Sequence, residues 1–347
     1  MKRFTDVHRD AERRSRRRYT TLMLGMGLTL LLAVLLSLWI GYYPLSPLQV
    51  VQAFLARFGY EGSILPQAVT IFWKIRLPRI LSAVLIGASL AVAGSTYQGM
   101  FRNPLVSPDI LGVSSGASFG AAIAILFGVP NWGIQLAAFT GGVLAVAFSY
   151  CISQRSSHQQ TIILVLTGSM VMALCNSGVT LIKYIADPQD VLQQITFWLM
   201  GSLTKTSMNS LAISALPMLI GLTVILALRW RINLLTLDEE EAKSLGVNLH
   251  MDRLIFISAS TLLSASAVCL GGLIGWVGLM VPHMARALVG ANHSRLIPAS
   301  ALLGSIYLVV MDDIARSLLS MELPLGVVTS ILGAPFFIYL ILKRWER

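Results

Sequence analysis

Charge is scarce in this chain. Asp, Glu, Lys and Arg make up 12% of its 347 residues, against roughly 25% in soluble domains, and no polar stretch is long enough to build a soluble domain. The length alone would allow two such domains, so composition argues against them. Cysteine is nearly absent too: Cys151, Cys175 and Cys269 are widely spaced and lie in or at the edge of apolar runs, which argues against a disulfide framework or a cysteine metal site. Also missing are a G-x-x-x-x-G-K-[ST] loop to cradle phosphates, an H-E-x-x-H zinc pair, and a Ser, His and acid set for nucleophilic attack. The five histidines, His8, His158, His250, His283 and His293, are scattered. The sequence therefore offers no catalytic residue and no metal ligand. If the chain takes part in work, the energy comes from another chain.

What is present is apolar, at 55% of residues. Runs of about twenty residues, the length that crosses a hydrocarbon layer of about 30 Å, lie near 21–41, 80–101, 133–152, 162–183, 209–228, 254–270, 297–317 and 325–342. Two shorter Gly-rich runs lie at 114–128 and 276–291. The prediction is an all-α polytopic membrane protein of about ten transmembrane helices. A basic tail, 1–20, precedes one membrane domain, 21–347. The first run follows basic residues as a signal peptide would, but it is about twenty residues long and lacks a small-residue cleavage site, so it is read as a retained helix.

The net charge of +10 does not point to nucleic acid, because the basic residues flank apolar runs instead of forming a patch. Lys2, Arg3, Arg9, Arg13, Arg14, Arg16, Arg17 and Arg18 precede the first run, which places the tail, and with an even count both termini, in the cytoplasm. Nineteen of the twenty-six Lys and Arg then fall inside. The exceptions include Lys74, Arg76 and Arg79, a local excess of positive charge on the outer side.

The stretch from Arg76 to Gly120 reads as a membrane hairpin. Gly87 and Gly94 are spaced near two helical turns, and Gly112, Gly116 and Gly120 fall on one face, which lets backbones approach closely in lipid. Within it stand Arg76-Leu-Pro-Arg79, Asn103-Pro104-Leu105, Pro108-Asp109 and Leu111-Gly112-Val113. In this order they resemble the permease subunits of ABC importers for iron-siderophores, haem and cobalamin, the FecCD family. Gly278-Leu279-Met280-Val281-Pro282-His283 with Arg286, and Glu322-Leu323-Pro324-Leu325-Gly326, resemble further elements of that family. The likeness covers most of the chain from Gly41 onward.

The longest charged segment between runs is 229–253. Asp238 to Leu245 reads as a short helix with acids in its first turn and Gly246 just past its end. Glu241-Ala242 followed by Gly246 resembles the signature by which ABC permeases dock onto their ATPases. That resemblance makes Asp238, Glu241, Ala242, Leu245, Gly246 and Val247 the expected coupling set. It also implies cytoplasmic gates at Asn103, Pro104 and Leu105 and at Gln160 and Thr161. Arg76, Arg79 and Arg316 become the expected docking set for acidic residues of an extracytoplasmic binding protein.

The resemblance implies a type II importer fold, a second permease subunit, two cytoplasmic ATPases that hold ATP and Mg, and no cofactor in this chain. The ligand expected is a metal chelate, a ferric siderophore ahead of haem or cobalamin. One alternative stays open. Asp312 and Asp313 lie within an apolar run, where acids are functional suspects, and an ion-driven secondary transporter would use them as a proton relay. Asp312 is also four residues before Arg316, the spacing of a local ion pair.

Overall fold

The computed structural model describes residues 2–41, 43, 45–59, 65–155, 160–246, 248–319 and 321–345. Among them every regular element is helical. In order these are α1 (Lys2–Ser37), α2 (Pro47–Leu55), α3 (Pro66–Thr70), α4 (Leu77–Met100), α5 (Val113–Leu126), α6 (Asn131–Ser153), α7 (Gln160–Ile185), α8 (Val191–Met200), α9 (Met208–Leu235), α10 (Glu239–Ser244), α11 (Leu249–Gly271), α12 (Val277–Val289), α13 (His293–Ser317) and α14 (Leu325–Trp345). A wide helical turn, Ile71–Arg76, joins α3 to α4 without a break.

Burial sorts the helices by role. In α4 and α11, 78% of the apolar window is buried, against 11% in α1 and 28% in α7 and α9. The first two are the core, and the others turn leucine and isoleucine outward, as a lipid-facing surface requires. α4 packs against α13, α11, α9 and α12. The expected glycine spacing is what allows this. A Cβ on Gly87 would stand 2.1 Å from the Gly304 carbonyl oxygen of α13, and one on Gly94 would stand 1.8 Å from that of Gly278 in α12. Backbone meets backbone at both points.

The helix count is not confirmed by length, and one glycine reading is corrected. Among the described residues seven helices are long and apolar enough to cross a membrane, so length and composition do not confirm the count of about ten. The expected runs at 114–128 and 276–291 correspond to α5 and α12, with 14 and 13 residues. At 1.5 Å per residue these reach only about 20 Å, because Gly112 and Phe127 bound α5 and Trp276 and Gly290 bound α12. Secondly, Gly112 does not share a face with Gly116 and Gly120. It sits at φ 87° in the turn before α5 and packs toward Val171, whereas the other two meet α6 at Gly141 and Ala137. The segment between α1 and α4 is folded as well: Val50, Ala53, Ala68 and Phe72 pack with Leu38 and Ile80, and Trp73 Nε1 donates to the Ala53 carbonyl at 2.9 Å.

Candidate functional site

The chemistry of this molecule sits at the two ends of α4, whose 24 residues separate them by about 36 Å. At the Arg76 end an apolar helix bundle closes on a charged cluster. Arg79 is buried, with its Nε 2.9 Å from Asp312 and its Nη1 2.9 Å from Glu322. Asp312, 1% exposed, also faces Arg316 Nε at 3.7 Å one helical turn along α13. Arg316 pairs with Asp313 and donates to the Ser37 carbonyl of α1 at 2.7 Å. Arg76 donates to the carbonyls of Leu38 and Tyr43. Three cations and three anions thereby fasten α1, α4 and α13 together.

Glu322 lies between α13 and α14 and accepts from the Thr204 hydroxyl at 2.6 Å. Burial acts to raise its pKa, but that hydroxyl and Arg79 outweigh burial and hold it below the ordinary glutamate range.

The expected docking arginines are therefore brought together, but not as a free outward set. Arg76, Arg79 and Arg316 are 3%, 4% and 7% exposed. The reason is electrostatic: an unpaired cation out of water is costly, and Asp312, Asp313 and Glu322 are within reach. The predicted Asp312 to Arg316 pair is present, but Asp312 also binds Arg79 from another helix. Sequence reading missed that contact, because nothing in local spacing links positions 233 residues apart.

At the other end, α4 stops at Phe101 and the chain turns through Arg102, which takes φ 52°. Left-handed backbone costs a residue with a Cβ about 1–2 kcal/mol. The turn aims the guanidinium across to the end of α9, where Nε donates to the Leu235 carbonyl at 3.2 Å, and to the 236–248 segment, where Nη1 meets Asp238 at 2.7 Å. Asn103 closes the next turn by accepting from Leu105 N–H at 2.9 Å. The predicted short helix is present as α10, with Ala242 N–H donating to the Asp238 carbonyl at 2.8 Å and Gly246 at φ 74° past its end.

Within the coupling set, Ala242 is fully buried and anchors α10 on the core, whereas Leu245 is 60% exposed. Asp238 and Glu241 are also exposed, and Val247 lies outside the described residues. Behind the segment, Arg231 of α9 holds buried Asp252 of α11 at 2.8 Å.

The two expected gates do not meet in this chain. Asn103 and Pro104 line an open cavity of about 380 Å³ with Gln98, Arg102, His283, Arg286 and Ala287. Arg286 Nη2 donates to Gln98 Oε1 at 3.0 Å across it. Thr161 lines a separate, smaller cavity with Phe101, Tyr150, His250 and Arg253. Leu105 is exposed, and of Gln160 only the backbone, the first residue of α7, is described. His283 thus lines the Asn103 cavity from α12, a neighbour that its motif alone did not suggest.

Known proteins resemble this chain over most of its length. Residues 29–343 match the model of the FecCD transport family. The molybdate import system permease protein MolB of Haemophilus influenzae is 40% identical over 94% of this chain and 96% of that protein. A probable iron chelatin transport system permease protein of Helicobacter pylori is 40% identical over 79% and 82%. A solved structure described as an inward-facing conformation of a metal-chelate type ABC transporter superposes with a TM-score of 0.84, at 38% identity, over 93% of this chain and 99% of that one. With the family's model spanning nearly the whole bundle and both charged ends of α4 inside it, the chain belongs to the FecCD transport family and is a permease of an ABC importer of that type.

Proposed function

We propose that this permease joins a second permease subunit to form the translocation pathway for a metal chelate, with a ferric siderophore ahead of haem or cobalamin. Two separate ATPases drive it through the 236–248 segment, and an extracytoplasmic binding protein delivers the cargo at the Arg79 end. The observation that carries this reading is the Arg102 to Asp238 bridge. It ties the segment that would receive an ATPase to the loop that lines the Asn103 cavity, so a push on α10 has a direct path to a gate.

At the far end, Arg79 is 5% exposed at its side chain and its partner Glu322 is 44% exposed. An acidic group of the binding protein would dock by replacing Glu322 on Arg79, while Arg76 holds the carbonyls of Leu38 and Tyr43 and Arg316 that of Ser37. A tetrahedral oxyanion is the second reading for the cargo, favoured by the identity and coverage of the molybdate permease relative.

The test is uptake into vesicles holding this chain with its ATPase and binding protein. Ferric siderophore, haem, cobalamin and molybdate are supplied in separate arms. ATP-dependent accumulation of a chelate supports the first reading, and accumulation of molybdate alone replaces it with the second. Accumulation driven by an ion gradient without ATP would reject both. Arg102→Ala should leave ATP hydrolysis by the complex in place and lower uptake severalfold.

A further inference from the structure

The N-terminal end of α1 carries five arginines that neither charged end of α4 uses. Arg13, Arg14, Arg16, Arg17 and Arg18 are all exposed, no acid occurs between 13 and 37, and they precede the residues that match the family model. Among the described residues no ion pair engages them. At about 100° per residue they cover roughly 200° of the helix. Ser15 and Tyr19 occupy the opposite side, where Arg295 of α13 donates to Ser15 Oγ at 2.8 Å and lies over the Tyr19 ring at 5.5 Å. Met23 and Met26 continue that protein-facing side against Leu296 and Ala299.

The arginine arc therefore points away from the protein. Farther along the helix its centre line is occupied by Leu24, Leu28, Leu31 and Leu35, from 70% to 43% exposed. One continuous face is leucine across the span and arginine at its end. Ser37 is pinned at the other end by Arg316. Counting back from it, the five arginines stand about 29–36 Å along the axis, from the far edge of a hydrocarbon layer of about 30 Å into the headgroup layer.

We infer that this arginine face is a binding surface for anionic phospholipid headgroups of the leaflet in which the N-terminal end of α1 lies. Guanidinium groups suit phosphate oxygens bidentately. The lipid commitment follows from continuity with the leucines: a headgroup whose tails lie along Leu24 and Leu28 places its phosphate beside Arg13 and Arg17. Basic clusters flanking a span attract anionic lipid over about a Debye length. The interaction should therefore weaken with salt.

The experiment uses the full chain in nanodiscs of phosphatidylcholine with a minor fraction of phosphatidylglycerol. Spin-labelled phosphatidylglycerol and phosphatidylcholine report which lipid is immobilised at the protein boundary. The wild type should prefer the anionic label severalfold, less so at high salt. R13Q and R17Q should lower the preference stepwise, all five arginines replaced by Gln should remove most of it, and all five replaced by Lys should keep most of it. Thermal unfolding alongside checks that each variant is folded, and the single substitutions serve if the fivefold one is not. A wild type without preference, or an all-Gln protein that keeps it, overturns the inference. So does an all-Gln protein that keeps the lipid preference but no longer retains its partner ATPase, since the face would then belong to a protein.

Discussion

Asp312 and Glu322 both neutralise Arg79, yet they should not be equal. Asp312 is 1% exposed and serves two buried arginines, whereas the Glu322 side chain is 44% exposed. Removing a carboxylate from a buried pair leaves an uncompensated charge and costs about 3–5 kcal/mol, but a pair open to water is worth about 1 kcal/mol or less. Asp312→Asn should therefore lower the unfolding temperature in detergent much more than Glu322→Gln. Equal losses would mean that the cluster is wetter than its burial indicates. The same contrast bears on the proton-relay reading: Asp312 is engaged by Arg79 of α4 and Arg316 of its own helix, the geometry of a structural ion-pair cluster.

Glu322 also gives a pH dependence whose sign can be worked out. Its folded-state pKa lies below the ordinary value, about 4.3. Its stabilising contribution is then complete above that ordinary value and is lost as pH falls through the lower folded one. Unfolding temperatures of wild type and Glu322→Gln should differ at neutral pH and converge on acidification. A gap that persists at the acid end would assign the stabilisation to something other than the charged carboxylate.

At the scale of the element, α4 depends on having almost no side chain where it crosses α12 and α13. Gly94→Ala would put a carbon 1.8 Å from the Gly278 carbonyl oxygen, a contact only backbone movement can relieve. Overpacking of this kind costs about 1–3 kcal/mol or more. The expected outcome is a lower fraction of monodisperse protein after a heat challenge, with Gly25→Ala, whose added carbon meets nothing within 4 Å, unchanged. α10 should behave in the opposite way. Gly246 has open space around it, so a side chain there meets only the left-handed strain of its φ of 74°, about 1–2 kcal/mol, and Gly246→Leu or Glu241→Lys should still insert and fold while lowering ATP-driven uptake. Unchanged uptake in both would make the segment a plain connector.

For the whole molecule, the division between chain and partners is itself testable. Without a phosphate loop, the purified permease should show no ATP turnover of its own, and turnover should appear only when the ATPase is added. Membrane character, the positions of most helices, and α10 with its terminal glycine were all legible in the sequence, because each is local: apolar run length, turn residues and caps act within a few residues. Close packing through Gly87 and Gly94 was legible for the same reason, since helical spacing is a local quantity. What only the tertiary structure decided is which groups meet across the bundle. Arg79 finds Asp312 and Glu322, Arg102 finds Asp238, and the arginines of the expected docking set are buried among carboxylates and carbonyls. A buried charge takes the nearest opposite charge in space, and distance in space is set by how the helices pack, not by distance along the chain.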